Sequence, residues 1–146
     1  MLFKNVAIAG LAHIDAPIIL TTDMINIELK ETMQRLGIKT DVLQDIAGIK
    51  ARRMWDDNLQ ASDVATMAAE KALLDAGIDR SKIGLLVNTS VSRDFLEPST
   101  ASIVSGNLRL GDQCLNFDIA NACLVSRQGF IKIGFHGDIK GFIFCS

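Results

Sequence analysis

Residues 83–89 read Ile83-Gly84-Leu85-Leu86-Val87-Asn88-Thr89, an uncharged apolar run of strand length that turns polar only at its end. A half-exposed strand would alternate polar and apolar residues. A continuous Leu-Leu-Val run points instead to a strand covered on both faces, as in the parallel sheet of an α/β protein. The segment before it opens at Ser62-Asp63, closes at Gly77, and carries alanines at 65, 68, 69, 72 and 76. Ser followed by an acid starts a helix, Gly stops one in the left-handed conformation, and the alanines allow close packing on a sheet. After the run, Pro98 is placed as the first residue of a helix reaching about Leu110, and Leu115 to Ala120 reads as a further strand.

Farther out, Phe3 to Gly10 alternates loosely and is rich in Val, Ile and Ala, which predicts a buried strand. Thr22 and Asp23 offer an N-cap for a helix to about Leu36, with Gly37 as its left-handed C-cap. Ile49 to Trp55 reads equally as a strand or an ordered loop; its Lys50, Arg52 and Arg53 make the compact basic cluster of the chain. The order β-α-(β)-α-β-α-β favours a mainly parallel sheet with crossover helices.

The 146 residues suit one domain with a real core, and 49% hydrophobic against 22% charged residues fits a compact α/β protein. A net charge of -2 supplies no broad attraction to nucleic acid or anionic membranes. No apolar stretch reaches the ~18 residues that span a bilayer, and Lys4 and Asn5 interrupt the apolar start, unlike a secretory signal. Cysteines 114, 123 and 145 have no metal-ligand spacing and leave an odd thiol, which suits a reducing, cytoplasmic setting. After Leu124 the composition changes. The last 22 residues hold four of the 11 glycines, four of the seven phenylalanines and one acid, Asp138. Residues 1–124 therefore read as one body and 125–146 as a divergent tail, expected from a reading-frame change or truncation.

Asp118-Ile119-Ala120-Asn121-Ala122-Cys123 runs from the end of an apolar strand into a cysteine among small residues. A thiol at a helix N-terminus faces the positive end of the aligned peptide dipoles, which favours the thiolate and attack on a thioester carbonyl. On residues alone, Cys123 reads equally well as a small buried hydrophobe. A β-α alternation also occurs in nucleotide-binding domains, but Gly10 opens no G-x-G-x-x-G run and there is no P-loop.

The runs Asn88-Thr89-Ser90-Val91-Ser92-Arg93-Asp94-Phe95-Leu96-Glu97-Pro98-Ser99-Thr100-Ala101, Phe117-Asp118-Ile119-Ala120-Asn121-Ala122-Cys123-Leu124 and Gly48-Ile49-Lys50-Ala51-Arg52-Arg53 resemble segments of thiolase-superfamily condensing enzymes related to ketoacyl-carrier-protein synthase III. Together they are most similar to the OleA-like branch, over roughly residues 1–124. The resemblance implies the amino-terminal half of a five-layer αβαβα architecture, usually dimeric, with no permanent cofactor and a coenzyme A or carrier-protein thioester as substrate. It implies transacylation to Cys123 followed by Claisen condensation, within fatty-acid and lipid metabolism. Glu97 corresponds to the family's proposed base for the second substrate, which reaches the active site of the neighbouring subunit, and its place at an expected helix start suits a carboxylate; an ordinary helix-start acid is the alternative. Arg52, Arg53 and Arg93 are candidates to meet coenzyme A phosphates, because guanidinium forks match phosphate oxygens; surface solvation is the alternative for each. His13 and His136 match no family histidine. The family's long helix after the cysteine and its second half, which supplies a histidine and an asparagine or second histidine, have no counterpart here, so a noncatalytic truncated remnant or an acyl- or partner-binding module of the same fold is the second reading.

Overall fold

In the computed structural model, residues 7–39, 42–121 and 142–145 are described. They form two compact units, one of Asp15–Asn58 and one built from the flanking sequence.

In the first unit, strand β1 (Ile18–Thr21) runs directly into helix α1 (Thr22–Leu36), followed by helix α2 (Val42–Ala47) and strand β2 (Ala51–Met54). The two strands pair antiparallel, with Ile18 opposite Met54 and Thr21 opposite Ala51. The N-cap of α1 is Thr21, whose hydroxyl accepts from the Met24 N–H at 3.2 Å. Thr22, the expected cap, is committed elsewhere: it is buried, its N–H donates to the Lys50 carbonyl at 2.8 Å and its hydroxyl donates to the Ile49 carbonyl. It thereby ties the start of α1 to the lead-in of β2. Gly37 ends α1 at φ 66°, and the Ile38 N–H closes the last turn onto Met33 at 2.9 Å.

In the second unit, residues 7–10 form no strand and are mostly exposed, so the strand expected over Phe3 to Gly10 is absent there; residues 3–6 lie outside the described residues. Gly10 instead presses on helix α3 (Ala61–Ala76). A Cβ at that position would sit 2.7 Å from the Ala72 carbonyl oxygen and 2.8 Å from the Ala76 Cβ. Helix α3 starts earlier than Ser62-Asp63 suggests, because Gln60 is its N-cap and donates its N–H to the Asp63 carboxylate at 2.9 Å. Gly77, at φ 62°, ends it as expected. A short 3-10 turn, Arg80–Lys82, is capped by Asp79, and the hydrogen bonds from Ser81 hold the Asp79 carboxyl below its ordinary value.

Strand β3 (Leu85–Asn88) is buried along its whole length, as its unbroken apolar run requires. Helix α4 (Thr100–Asn107), strand β4 (Leu115–Asp118) and strand β5 (Phe142–Cys145) follow. The sheet is parallel, in the order β4-β3-β5, with Leu85 opposite both Leu115 and Phe142. Its central position gives β3 a strand partner along both edges. The third strand comes from the compositionally distinct tail. Ala69 and Leu73 of α3, Ala101 and Val104 of α4, Leu86 of β3, and Ile83, Leu108 and Cys114 form the core. Burying a side chain such as Leu86 contributes about 1.5–3 kcal/mol.

Candidate functional site

Parallel sheets present functional groups beyond the carboxyl ends of their strands. Here that edge holds Asn88, at the end of β3, opposite Asp118, at the end of β4. The Asp118 carboxylate accepts three hydrogen bonds. Its Oδ1 takes Asn88 Nδ2 at 3.1 Å and the Ala101 N–H at 2.8 Å, and its Oδ2 takes the Thr100 N–H at 2.9 Å. Thr100 and Ala101 are the first two residues of α4, whose N–H groups have no intrahelical partner. One carboxylate thus joins the ends of two strands to the start of a helix. The Ile119 N–H, just past β4, returns to the Asn88 carbonyl at 2.9 Å.

This arrangement corrects the expected start of the helix. Pro98 is not its first residue: Ser99 is the N-cap, accepting from the Ser102 N–H at 3.1 Å, and α4 begins at Thr100. The helix also ends at Asn107, before Leu110. Glu97 therefore lies outside the helix, and the N–H groups of the helix's first two residues are taken by Asp118. The strand expected to reach Ala120 stops at Asp118, where its end is turned onto α4. Thr100 is 1% exposed, and its hydroxyl has no partner among the described residues.

Glu97 itself is exposed, in the segment joining β3 to α4, and Arg93 is exposed in the same segment. Between them Asp94 accepts from the Ser62 N–H of α3 at 3.2 and 3.3 Å. Arg52 and Arg53 are neighbours on β2 in the other unit. Arg53 Nη1 donates to the Ala16 carbonyl at 2.9 Å, whereas a buried Arg52 Nη1 has no partner among the described residues. Cys123, Leu124 and His136 lie outside the described residues. His13 is exposed, and its carbonyl accepts from Lys71 Nζ at 3.0 Å. Cys114 is a core residue 7% exposed, and burial pushes its thiol above the ordinary value, which disfavours a nucleophilic role.

Sequence reasoning missed Asp118 and Asp94. Asp118 was legible only as the polar end of an apolar strand, and Asp94 as one acid in a polar loop; neither position shows locally which helix it reaches. Among the described residues, no group of three or more His, Cys, Asp or Glu side chains is arranged to hold a metal ion, and no helix is long and apolar enough to cross a membrane.

No protein-family model matches the chain. It is 68% identical over 129 residues to the acyl-CoA:acyl-CoA alkyltransferase of Xanthomonas campestris pv. campestris, covering 88% of this chain and 38% of the relative. It is 36% identical over 107 residues to the beta-ketoacyl-[acyl-carrier-protein] synthase III of Neisseria meningitidis, covering 69% of this chain and 33% of the relative. Crystal structures of Xanthomonas campestris OleA altered at a glutamate and at a cysteine match with TM-scores of 0.85 and 0.86 at 64% and 63% identity. Those matches cover 92% and 95% of this chain and 39% and 41% of the crystallised ones. The chain spans about two-fifths of the length of OleA and a third of that of the synthase.

Proposed function

We propose that this chain, which carries the amino-terminal part of the thiolase-superfamily condensing fold shared by OleA and ketoacyl-acyl-carrier-protein synthase III, serves acyl transfer from a thioester to Cys123 and a subsequent Claisen condensation. One observation carries the reading. The glutamate and the cysteine replaced in the crystallised OleA variants are separated by the same interval as Glu97 and Cys123 here.

In the first step the Cys123 thiolate attacks the carbonyl of an acyl-CoA or acyl-carrier-protein thioester. The new S–C bond replaces the old one, and the departing thiolate takes a proton. In the second, the Glu97 carboxylate of one subunit, reaching the active site of its neighbour, removes a proton from the α-carbon of a second thioester. The carbanion attacks the Cys123 acyl group, a C–C bond forms, the enzyme's S–C bond breaks, and a 3-ketoacyl thioester leaves. The exposure of Glu97 leaves it open to a substrate. Arg52, Arg53 and Arg93 would meet coenzyme A phosphates, Arg52 with the most reason, since its guanidinium holds an unpartnered buried nitrogen. Arg53 would have to release the Ala16 carbonyl.

On this reading residues 1–124 carry the condensing part and 125–146 a divergent tail, the assembly is a cytoplasmic homodimer, and no cofactor is held permanently. The histidine and the asparagine or second histidine that the family resemblance implies for the thioester oxyanion match no residue here, and the histidine altered in other OleA variants falls past residue 146 at the same offset. Acylation is therefore the step to test. Incubation with a long-chain acyl-CoA followed by intact mass spectrometry should show one added acyl group, lost in Cys123→Ala. Its absence in the unaltered protein leaves a noncatalytic binding module of this fold.

A further inference from the structure

The segment that carries Glu97 has little apolar burial to hold it. Val91, Phe95 and Leu96 are 69%, 57% and 86% exposed, so the entropy of fixing the backbone is not offset by a local core. Within the chain, polar bonds hold it. At its end the segment is anchored where Asp118 holds Thr100 and Ala101. Between β3 and that anchor, Asp94 reaches 32 residues back along the chain to α3, and both of its carboxylate oxygens accept from the Ser62 N–H.

The start of α3 is otherwise supplied locally. Gln60 donates to Asp63 at 2.9 Å, and the N–H groups of Asp63 and Val64 both reach the Gln60 carbonyl. Ser62 is 3% exposed, so its N–H has little access to water, and Asp94 answers it. The bond links an already capped helix to a loop whose Val91, Phe95 and Leu96 are exposed within the chain, and Glu97 lies three residues beyond it.

We infer that Asp94 is a positioning residue for Glu97: by accepting the Ser62 N–H it fixes the β3-α4 segment and so the place from which the Glu97 carboxylate works. The inference rests on Glu97 being the base of the proposed condensation, and its test separates the two. Backbone order parameters for Phe95, Leu96 and Glu97, measured by NMR on the whole chain, should fall from about 0.85 to below about 0.6 in Asp94→Ala, while Ala69 and Leu73 in α3 stay rigid. Asp94→Asn keeps an acceptor oxygen and should restore the rigid values. In parallel, exchange of the α-hydrogens of a long-chain acyl-CoA with D2O should disappear in Glu97→Gln, fall about tenfold in Asp94→Ala and recover in Asp94→Asn. Unchanged loop order in Asp94→Ala, or equal loosening of α3, overturns the inference. So does α-hydrogen exchange that Glu97→Gln abolishes and Asp94→Ala leaves intact. Unaltered protein that exchanges no α-hydrogen, with a loop still loosened by Asp94→Ala, refutes the base and leaves the pin standing.

Discussion

Replacing Asp118 by Asn changes one atom at the point where two strands and a helix meet. Asn is most favourable with its carbonyl oxygen in the place of Oδ1, where it still accepts from Asn88 Nδ2 and the Ala101 N–H. The amide nitrogen then faces the Thr100 N–H across what was a 2.9 Å hydrogen bond, donor against donor. A hydrogen bond to a charged group contributes about 1.5–3 kcal/mol, and a buried donor left unanswered costs about 1–3 kcal/mol. These overlap rather than add, so Asp118→Asn should cost about 1.5–3 kcal/mol, and Asp118→Ala, which loses all three bonds, at least as much. Against the ~5–15 kcal/mol stability of a typical domain, either loss is large. Urea unfolding followed by far-ultraviolet circular dichroism should show the midpoint moving down with little change in slope. A loss under about 0.5 kcal/mol in both variants would refute the claim that this carboxylate joins the strand ends to α4, because surface changes fall in that range.

Other expected outcomes rest on separate contacts. Gly10→Ala drives a Cβ to 2.7 Å from the Ala72 carbonyl oxygen, a backbone atom that cannot swing away, and should cost about 1–3 kcal/mol in the same unfolding assay. Leu86→Ala, at a side chain with no exposed surface in the core, should cost about 2–5 kcal/mol. Burial raises the Cys114 thiol, so the unfolded chain ionises it at a lower pH than the folded one does. Stability from this group is full below the ordinary thiol value of ~8.5 and declines as pH rises through the folded value. Cys114→Ala should flatten that alkaline decline in thermal melts taken across the same pH range.

The parts of the fold legible in the sequence are those whose cause is local. The uncharged Ile83–Val87 run yields the buried central strand because burial on both faces leaves no room for alternation, and Gly37 and Gly77 end their helices because the left-handed conformation suits glycine. Helix starts were less legible. Whether a Thr caps a helix depends on what else its hydroxyl can reach, and Thr22 is taken by Ile49 across the unit. Pro98 looked like a first helical residue because nothing nearby in sequence announces that Asp118, far along the chain, answers the N–H groups of Thr100 and Ala101. Strands β1 and β5 form through partners distant in sequence, and neither run is long enough to declare itself alone. The candidate site divides in the same way. Glu97 and Cys123 follow from resemblance of whole segments, whereas Asp94 and Asp118 emerge only once strands and helices are packed together.

Of the three cysteines, position 123 is the one that takes the acyl group in the proposed reaction. After incubation with a long-chain acyl-CoA, proteolysis and peptide mass mapping should place the adduct on the peptide containing Cys123, with Cys114 unmodified and hydroxylamine removing the label. An acyl group found on Cys114 or Cys145, with Cys123 unmodified, would contradict it.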